Sequence, residues 1–354
     1  MQLHNHTRYQ AGYATGILTT GQYCVVVAVK ATYRITSLDD PELPLAEEQQ
    51  PLHDTDGYSG EPGDSSPLYD NDFAPYKPQC DVLLPTPVAY TPHGRPATQV
   101  PVAVQIGNWR KTFRVVGPRL WERGIMTTAS KPQPFTRQPL SWEIAYGGTD
   151  TVAYPEPDRV DAFLYNLVGI GYWRKPKRKY LHGSPIARTE ALDQPINDPG
   201  ARYLPQGFGP IARNWQPRST YGGTYDDDWI RHTKPFLPAD FDTQYYQSAL
   251  PDQQIPYPEG GDIITLTHLT PEGELSFVLP RFRVPISLQT QRGQRVTLQP
   301  VVDTITIDAE ARQLTLVARA HHPFIHTIHE IGDIRIGHPP VTIPFVIAKQ
   351  QTDA

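Results

Sequence analysis

Between Gln22 and Ile35 the chain reads QYCVVVAVKATYRI, with apolar side chains running unbroken from Cys24 to Val29. A strand exposed on one face would alternate, so the unbroken run predicts a strand covered on both faces, in the middle of a core. Other segments do alternate. Val100 to Val116 holds two such segments joined at Gly107-Asn108, a pair at ease with positive φ, and predicts a hairpin. Further hairpins are expected from Asp262 to Leu279, turning at Pro271-Glu272-Gly273, and from Val301 to Ala318, turning around Asp308 to Ala311. From Pro118 to Gly261 the period is lost, and proline and aromatic residues take over. Only short helices fit there. The best candidate starts near Thr224, where Asp226, Asp227 and Asp228 suit a positive helix terminus, Trp229 and Ile230 are expected to face inward, and Pro235 ends the helix. Thr36 to Tyr69 is acidic and rich in proline and glycine, the composition of a long surface excursion or a flexible arm.

Strand signals thus cluster at both ends of the chain. The expected fold is mainly β: a β-sandwich or open-barrel body from residues 10–117 and 262–320, carrying residues 118–261 as a large irregular insertion rich in proline and aromatic residues, with few short helices. Residues 321–354 are expected as a C-terminal extension, and 1–354 as one module. Composition agrees, because 38 of 354 residues are proline, which fixes φ, removes a backbone donor and at this density excludes long helices.

A formal net charge of −5 gives no long-range attraction to nucleic acid or anionic lipid, so neither is expected as a partner. The basic run from Arg174 to Lys179 reads as a solvated loop. No apolar run approaches the roughly 20 residues that span a bilayer. The opening MQLHNHTRYQ lacks a basic segment followed by an apolar one, so no signal peptide is expected and the protein is expected to stay in the cytoplasm. Cys24 and Cys80 are expected as buried reduced thiols.

Several side chains invite chemistry. Glu143, Asp226, Asp240, Asp242 and Asp252 could supply paired carboxylates for glycoside hydrolysis, but acids beside proline and glycine more often accept hydrogen bonds from turn backbone. Glu143, next to Trp142 in a segment expected to be buried, could serve as an acid with a raised pKa, but pairing with an arginine such as Arg119 or Arg137 is the expectation. His321, His322, His326 and His329 form the one metal-like cluster; without HExxH order or a nearby cysteine they read as polar residues at a strand end and the following loop. No metal and no cofactor is expected. Gly207-Phe208-Gly209 lacks the strand before and helix after that phosphate binding requires, so its glycines are read as allowing close packing. With 19 tyrosines and six tryptophans, some rings are free to line a binding groove; Tyr221, Tyr225, Trp229, Phe236, Tyr245 and Tyr246 are the candidates.

The order of motifs supports a resemblance. Asn71-Asp72-Phe73-Ala74-Pro75-Tyr76-Lys77-Pro78, followed by Asp81-Val82-Leu83-Leu84, is similar to a D-x-A-P-x-K-x-x-x-D-V-L block. Pro139-Leu140-Ser141-Trp142-Glu143 with Ala145-Tyr146-Gly147-Gly148 is similar to P-L-x-W-E-R-A-Y-G-G, with Ile144 in place of the arginine. Asn166, Gly169 and Gly171 fit N-x-x-G-x-G, and the closest agreement runs from Gly207-Phe208-Gly209-Pro210 through Gly223-Thr224-Tyr225-Asp226 to Pro251-Asp252-Gln253-Gln254. Together these resemble domain-of-unknown-function family 2169, over about Gly21 to Arg319. Gly117-Pro118-Arg119-Leu120-Trp121 departs from that family's G-D-R-x-W. The motif residues Asp72, Pro75, Lys77, Asp81, Trp142, Glu143, Gly147, Gly148, Gly207, Gly209, Asp226, Asp252 and Gln253 are read as structural. The resemblance implies a non-enzymatic adaptor or chaperone that binds a type VI secretion effector and assists its loading onto the valine-glycine repeat spike protein. A hydrolytic, carbohydrate-active enzyme using the central acids is the first alternative, and a structural component of the secreted spike complex the second.

Overall fold

A computed structural model of the chain describes residues 1–150 and 161–337, apart from residues 39 and 41. The unbroken apolar run is the strand Tyr23–Arg34, in which every residue from Cys24 to Tyr33 is buried. It lies inside a six-stranded sheet in the order Gln254–Ile255, Cys80–Leu83, Val301–Asp308, Gln313–Phe324, Tyr23–Arg34, Gln10–Ile17. Cys80–Leu83 runs parallel to Val301–Asp308, and the other neighbours are antiparallel. The last expected hairpin is longer than its sequence pattern suggests. Its second strand continues through His321 and His322 to Phe324, because it pairs with Tyr23–Arg34 along its whole length.

The other two hairpins merge into a five-stranded antiparallel sheet, ordered Thr189–Glu190, Trp109–Val116, Gln99–Ile106, Ile263–Thr267, Glu274–Val278. A four-stranded sheet places Gln2–Asn5 parallel to Ile331–Ile336, followed by Ile286–Thr290 and Arg295–Leu298. Alternate residues of all three sheets, among them Val27, Val102, Phe277, Leu288 and Leu316, meet in one hydrophobic core. Among the described residues no sheet closes into a barrel. The fold is mainly β with an irregular middle, as its proline content requires.

The middle carries two small cores of its own. One gathers Trp121, Tyr146, Ile186 and Tyr203; the other gathers Trp142, Ile211, Trp215 and Leu250. The helix expected after Thr224 is Asp227–His232, with the Asp226 carboxylate accepting from the Trp229 amide at its start. Ile230, expected to face inward, is 54% exposed. Six residues form under two turns, so one inward position suffices, and Trp229 takes it, donating its indole N–H to the Phe236 carbonyl at 2.9 Å.

The acidic segment after Thr36 is a surface excursion but not a loose arm. The Gln49 side chain exchanges two 2.8 Å hydrogen bonds with the Thr32 backbone, Lys30 donates to the Pro51 carbonyl, and Arg213 clasps Asp56 at 2.7 Å and 3.0 Å. These contacts strap residues 46–56 across the outer face of the six-stranded sheet. Both cysteines are buried free thiols. No helix among the described residues is long and apolar enough to cross a membrane.

Candidate functional site

Lysine 30 sits in a strand otherwise apolar at its centre, and its ammonium needs a partner once buried. The outer face of the sheet supplies one. Lys30 pairs with Asp72, which also accepts the His53 amide at 2.8 Å, and Arg319 bridges Asp72 and Asp303. Beside them Lys77 donates to Asp81 at 2.7 Å and to the Thr304 hydroxyl at 3.2 Å. Asp81 accepts further hydrogen bonds from Gln247 at 2.6 Å and from the Ser248 and Ala249 amides at 2.8 Å and 3.2 Å. Burial alone pushes its carboxyl up, but the adjacent Lys77 ammonium and these amides hold it below the usual carboxylate range. Asp70 is gripped in turn by Arg218 at 2.5 Å and Arg213 at 3.3 Å. A cleft of about 250 Å³ opens between this cluster and residues 50–72, in which the strap continues past Asp56. Lys30, Lys77, Arg319, Asp70 and Asp72 in its wall are each matched by an opposite charge. Charges so matched hold the strap and the chain after Gln247 on the sheet.

The remaining motif residues extend this framework. Gln253, fully buried, accepts from Lys111 at 2.7 Å and donates to the carbonyls of Val82 and Phe208, both at 2.9 Å. Asp252 takes a second Lys111 hydrogen bond at 2.9 Å. Trp142 donates its indole N–H to Pro210 and packs edge-on against Trp215, with Gly207 and Gly209 lying so close to its ring that a Cβ would stand 3.0 Å and 3.1 Å from it. Gly147 and Gly148 turn with positive φ, and a Cβ on either would fall 2.2 Å from a carbonyl oxygen of Asn166 or Gly169. Pro75 packs over the sheet against Gly16.

Glu143 is half-buried, and neither Arg119 nor Arg137 pairs with it. Arg119 binds Glu190 at 3.0 Å and Arg137 binds Glu310 at 2.7 Å, while Glu143 accepts the Ser66 amide at 2.7 Å and hydroxyl at 2.6 Å. Burial raises its carboxyl, but hydrogen bonds from Ser141 and Ser66 outweigh it and hold the pKa below the ordinary value. The strap, invisible as a neighbour in sequence, supplies this partner. The central acids are also engaged: Asp226 caps its helix, Asp240 accepts from the Thr224 amide and hydroxyl at 2.9 Å and 2.7 Å, and Asp242 caps the turn Thr243–Tyr246.

The six aromatic candidates divide. Tyr225, 54% exposed, meets Trp229 edge-on at 4.7 Å, and Phe236 leans on Tyr23 at 5.9 Å. Tyr246 lines a groove of about 220 Å³ with Leu237, Tyr76, Pro75, His321 and the turn residues Ile17 to Thr20. Tyr245 lies beside the guanidinium groups of Arg213 and Arg218, each 5.8 Å from its ring centre, and the Tyr221 carbonyl accepts the Asp242 amide. Of the four histidines, His321 and His322 are in the Gln313–Phe324 strand, with Tyr76 edge-on to His321. His326 and His329 lie in the turn that follows, where Glu330 accepts the His326 amide and Thr327 the His329 amide. Among the described residues, no three His, Cys, Asp or Glu side chains converge to hold a metal ion.

A family model described as an uncharacterised protein conserved in bacteria (DUF2169) matches residues 20–319. The chain belongs to this family. The DUF2169 match takes in the charged cluster, the Trp142 core and the aromatic surface, and it starts after the edge strand Gln10–Ile17. No curated protein and no solved structure matches the chain. Sequence reasoning missed the Lys30–Asp72–Arg319–Asp303 cluster and the Asp70–Arg218 clasp. A lysine in a strand covered on both faces was the available signal.

Proposed function

We propose that this chain is a cytoplasmic adaptor or chaperone that binds a type VI secretion effector and helps place it on the valine-glycine repeat spike protein. One observation carries the reading: the acids Asp226, Asp240 and Asp252 accept hydrogen bonds that hold the fold, whereas Tyr225, Trp229 and Phe236 remain exposed or half-buried and Tyr246 lines an apolar groove. Large rings at a surface supply contact area at low entropy cost, which suits a protein partner more than a turnover site. The resemblance of the motifs supplies the kind of partner.

The test is co-expression with the product of the adjacent gene, affinity capture, and a secretion assay in a strain lacking this protein. Capture of the effector, with loss of its stability or export in the deletion strain, is expected. If no neighbour binds and no effector is affected, the reading fails. Changing Asp226 and Asp252 together to Asn separates it from the hydrolase: loss of a measurable turnover with partner binding intact favours the enzyme. Recovery of the chain in the secreted fraction at the effector's level favours a spike component instead.

A further inference from the structure

The strand Gln10–Ile17 ends the six-stranded sheet, and among the described residues no strand lies on its outer side. It holds eight residues in unbroken antiparallel register with Tyr23–Arg34, and among the described residues none hydrogen-bonds to the backbone on its other side. The sheet's opposite edge is two residues long, and the edges of the five-stranded sheet are two and five. An edge of this length is normally guarded by charge, proline or a bulge. This one reads QAGYATGI, without a charged residue, proline or register shift.

We infer that this edge accepts an extended segment of the protein partner as an added antiparallel strand. The inference rests on the adaptor reading and names its docking surface. In an antiparallel edge every second residue presents both its N–H and its C=O outward, a row that water hydrates in the free protein and that an added strand pairs in full. The groove at the end of the edge, formed by Ile17, Leu18, Pro75, Leu237 and Tyr246, fits an apolar side chain at the end of that segment. The occupant is therefore an extended, proline-poor peptide with an apolar anchor. A second copy fits less well: symmetric pairing centred on the strand sets Ile17 against Gln10, and so brings the charged Arg8 to the groove.

Amide hydrogen exchange on the free protein and on the complex co-purified with the adjacent gene's product tests this. Every second amide from Gln10 to Ile17 is expected to slow by about tenfold or more in the complex. A complex whose edge amides exchange as fast as in the free protein overturns the inference and leaves the adaptor reading standing. Absence of any complex overturns both. Protection without partner, together with a dimer by sedimentation, overturns it in favour of self-pairing. Ala14→Pro and Thr15→Pro add a second readout, because neighbouring amides point to opposite sides of the strand. The variant whose N–H faced outward is expected to keep wild-type stability and lose at least about tenfold in partner affinity, some 1.4 kcal/mol. Full affinity in both variants overturns the inference.

Discussion

At one edge of the six-stranded sheet, Cys80–Leu83 is covered by the two residues Gln254–Ile255 and by a chain whose polar groups are fixed to it through Asp81 and Gln253. At the other edge, Gln10–Ile17 has no strand on its outer side among the described residues. The difference locates the purpose of the irregular middle. A segment interrupted by proline cannot extend a sheet far, since proline has no amide donor, but it can end one if buried polar groups hold it in place. The block from Gln247 to Gln254 does this on one side, and the open edge shows what the sheet looks like without it.

The largest expected effect breaks the closed edge. Asp81→Ala leaves the buried Lys77 ammonium with only the Thr304 hydroxyl and no opposite charge, and the amides of Ser248 and Ala249 without their acceptor. Removing one member of a buried pair costs about 3 to 5 kcal/mol, which chemical denaturation will read. The double variant Lys77→Met, Asp81→Ala should recover part of that loss, since no buried charge then stands unpaired. Gln253→Ala is expected to cost about 1 to 3 kcal/mol by the same measurement, because the buried Lys111 ammonium and two carbonyls lose a partner while Asp252 still holds Lys111.

Acid weakens the same framework in a defined direction. The folded-state pKa of Asp81 and of Glu143 lies below the ordinary 3.8 and 4.5. A depressed carboxyl contributes stability that is fully present above its unfolded value and is lost as pH falls through the folded one. The part of the denaturation midpoint owed to these two carboxyls should therefore hold above pH 4.5 and fall below it. Glu143→Gln should lessen the decline, because the Ser66 contacts then no longer depend on an ionised acid.

Sequence reading was most successful where periodicity decides structure. The hairpin at Gly107-Asn108 and the strand beginning at Tyr23 follow from alternation and its absence. The cap at Asp226 follows from side-chain chemistry within three residues. The partner of Glu143 did not, because Ser66 lies 77 residues away in a segment whose composition suggests an arm. Lys30, Asp72 and Arg319 likewise come from three distant segments, and nothing local to any of them reveals the cluster. The open edge was illegible for another reason. Whether QAGYATGI has one neighbour or two is a property of the sheet, not of the strand.

The smallest effect on stability is expected where the proposed effect on binding is greatest. Thr15 is exposed on the open edge, so Thr15→Lys should change the unfolding free energy by no more than about 0.5 kcal/mol. A lysine there adds a solvated charge that an incoming strand must accommodate or desolvate, the device by which edges are ordinarily guarded. Affinity capture of the proposed partner should fall while Tyr225→Ala, on the aromatic surface, tests the adjoining contact separately. If capture survives Thr15→Lys but not Tyr225→Ala, the partner sits on the rings alone and the two edges differ in structure without differing in use. If both variants lose capture, the open edge and the groove beside it act as one surface, and the contrast with the closed edge becomes functional.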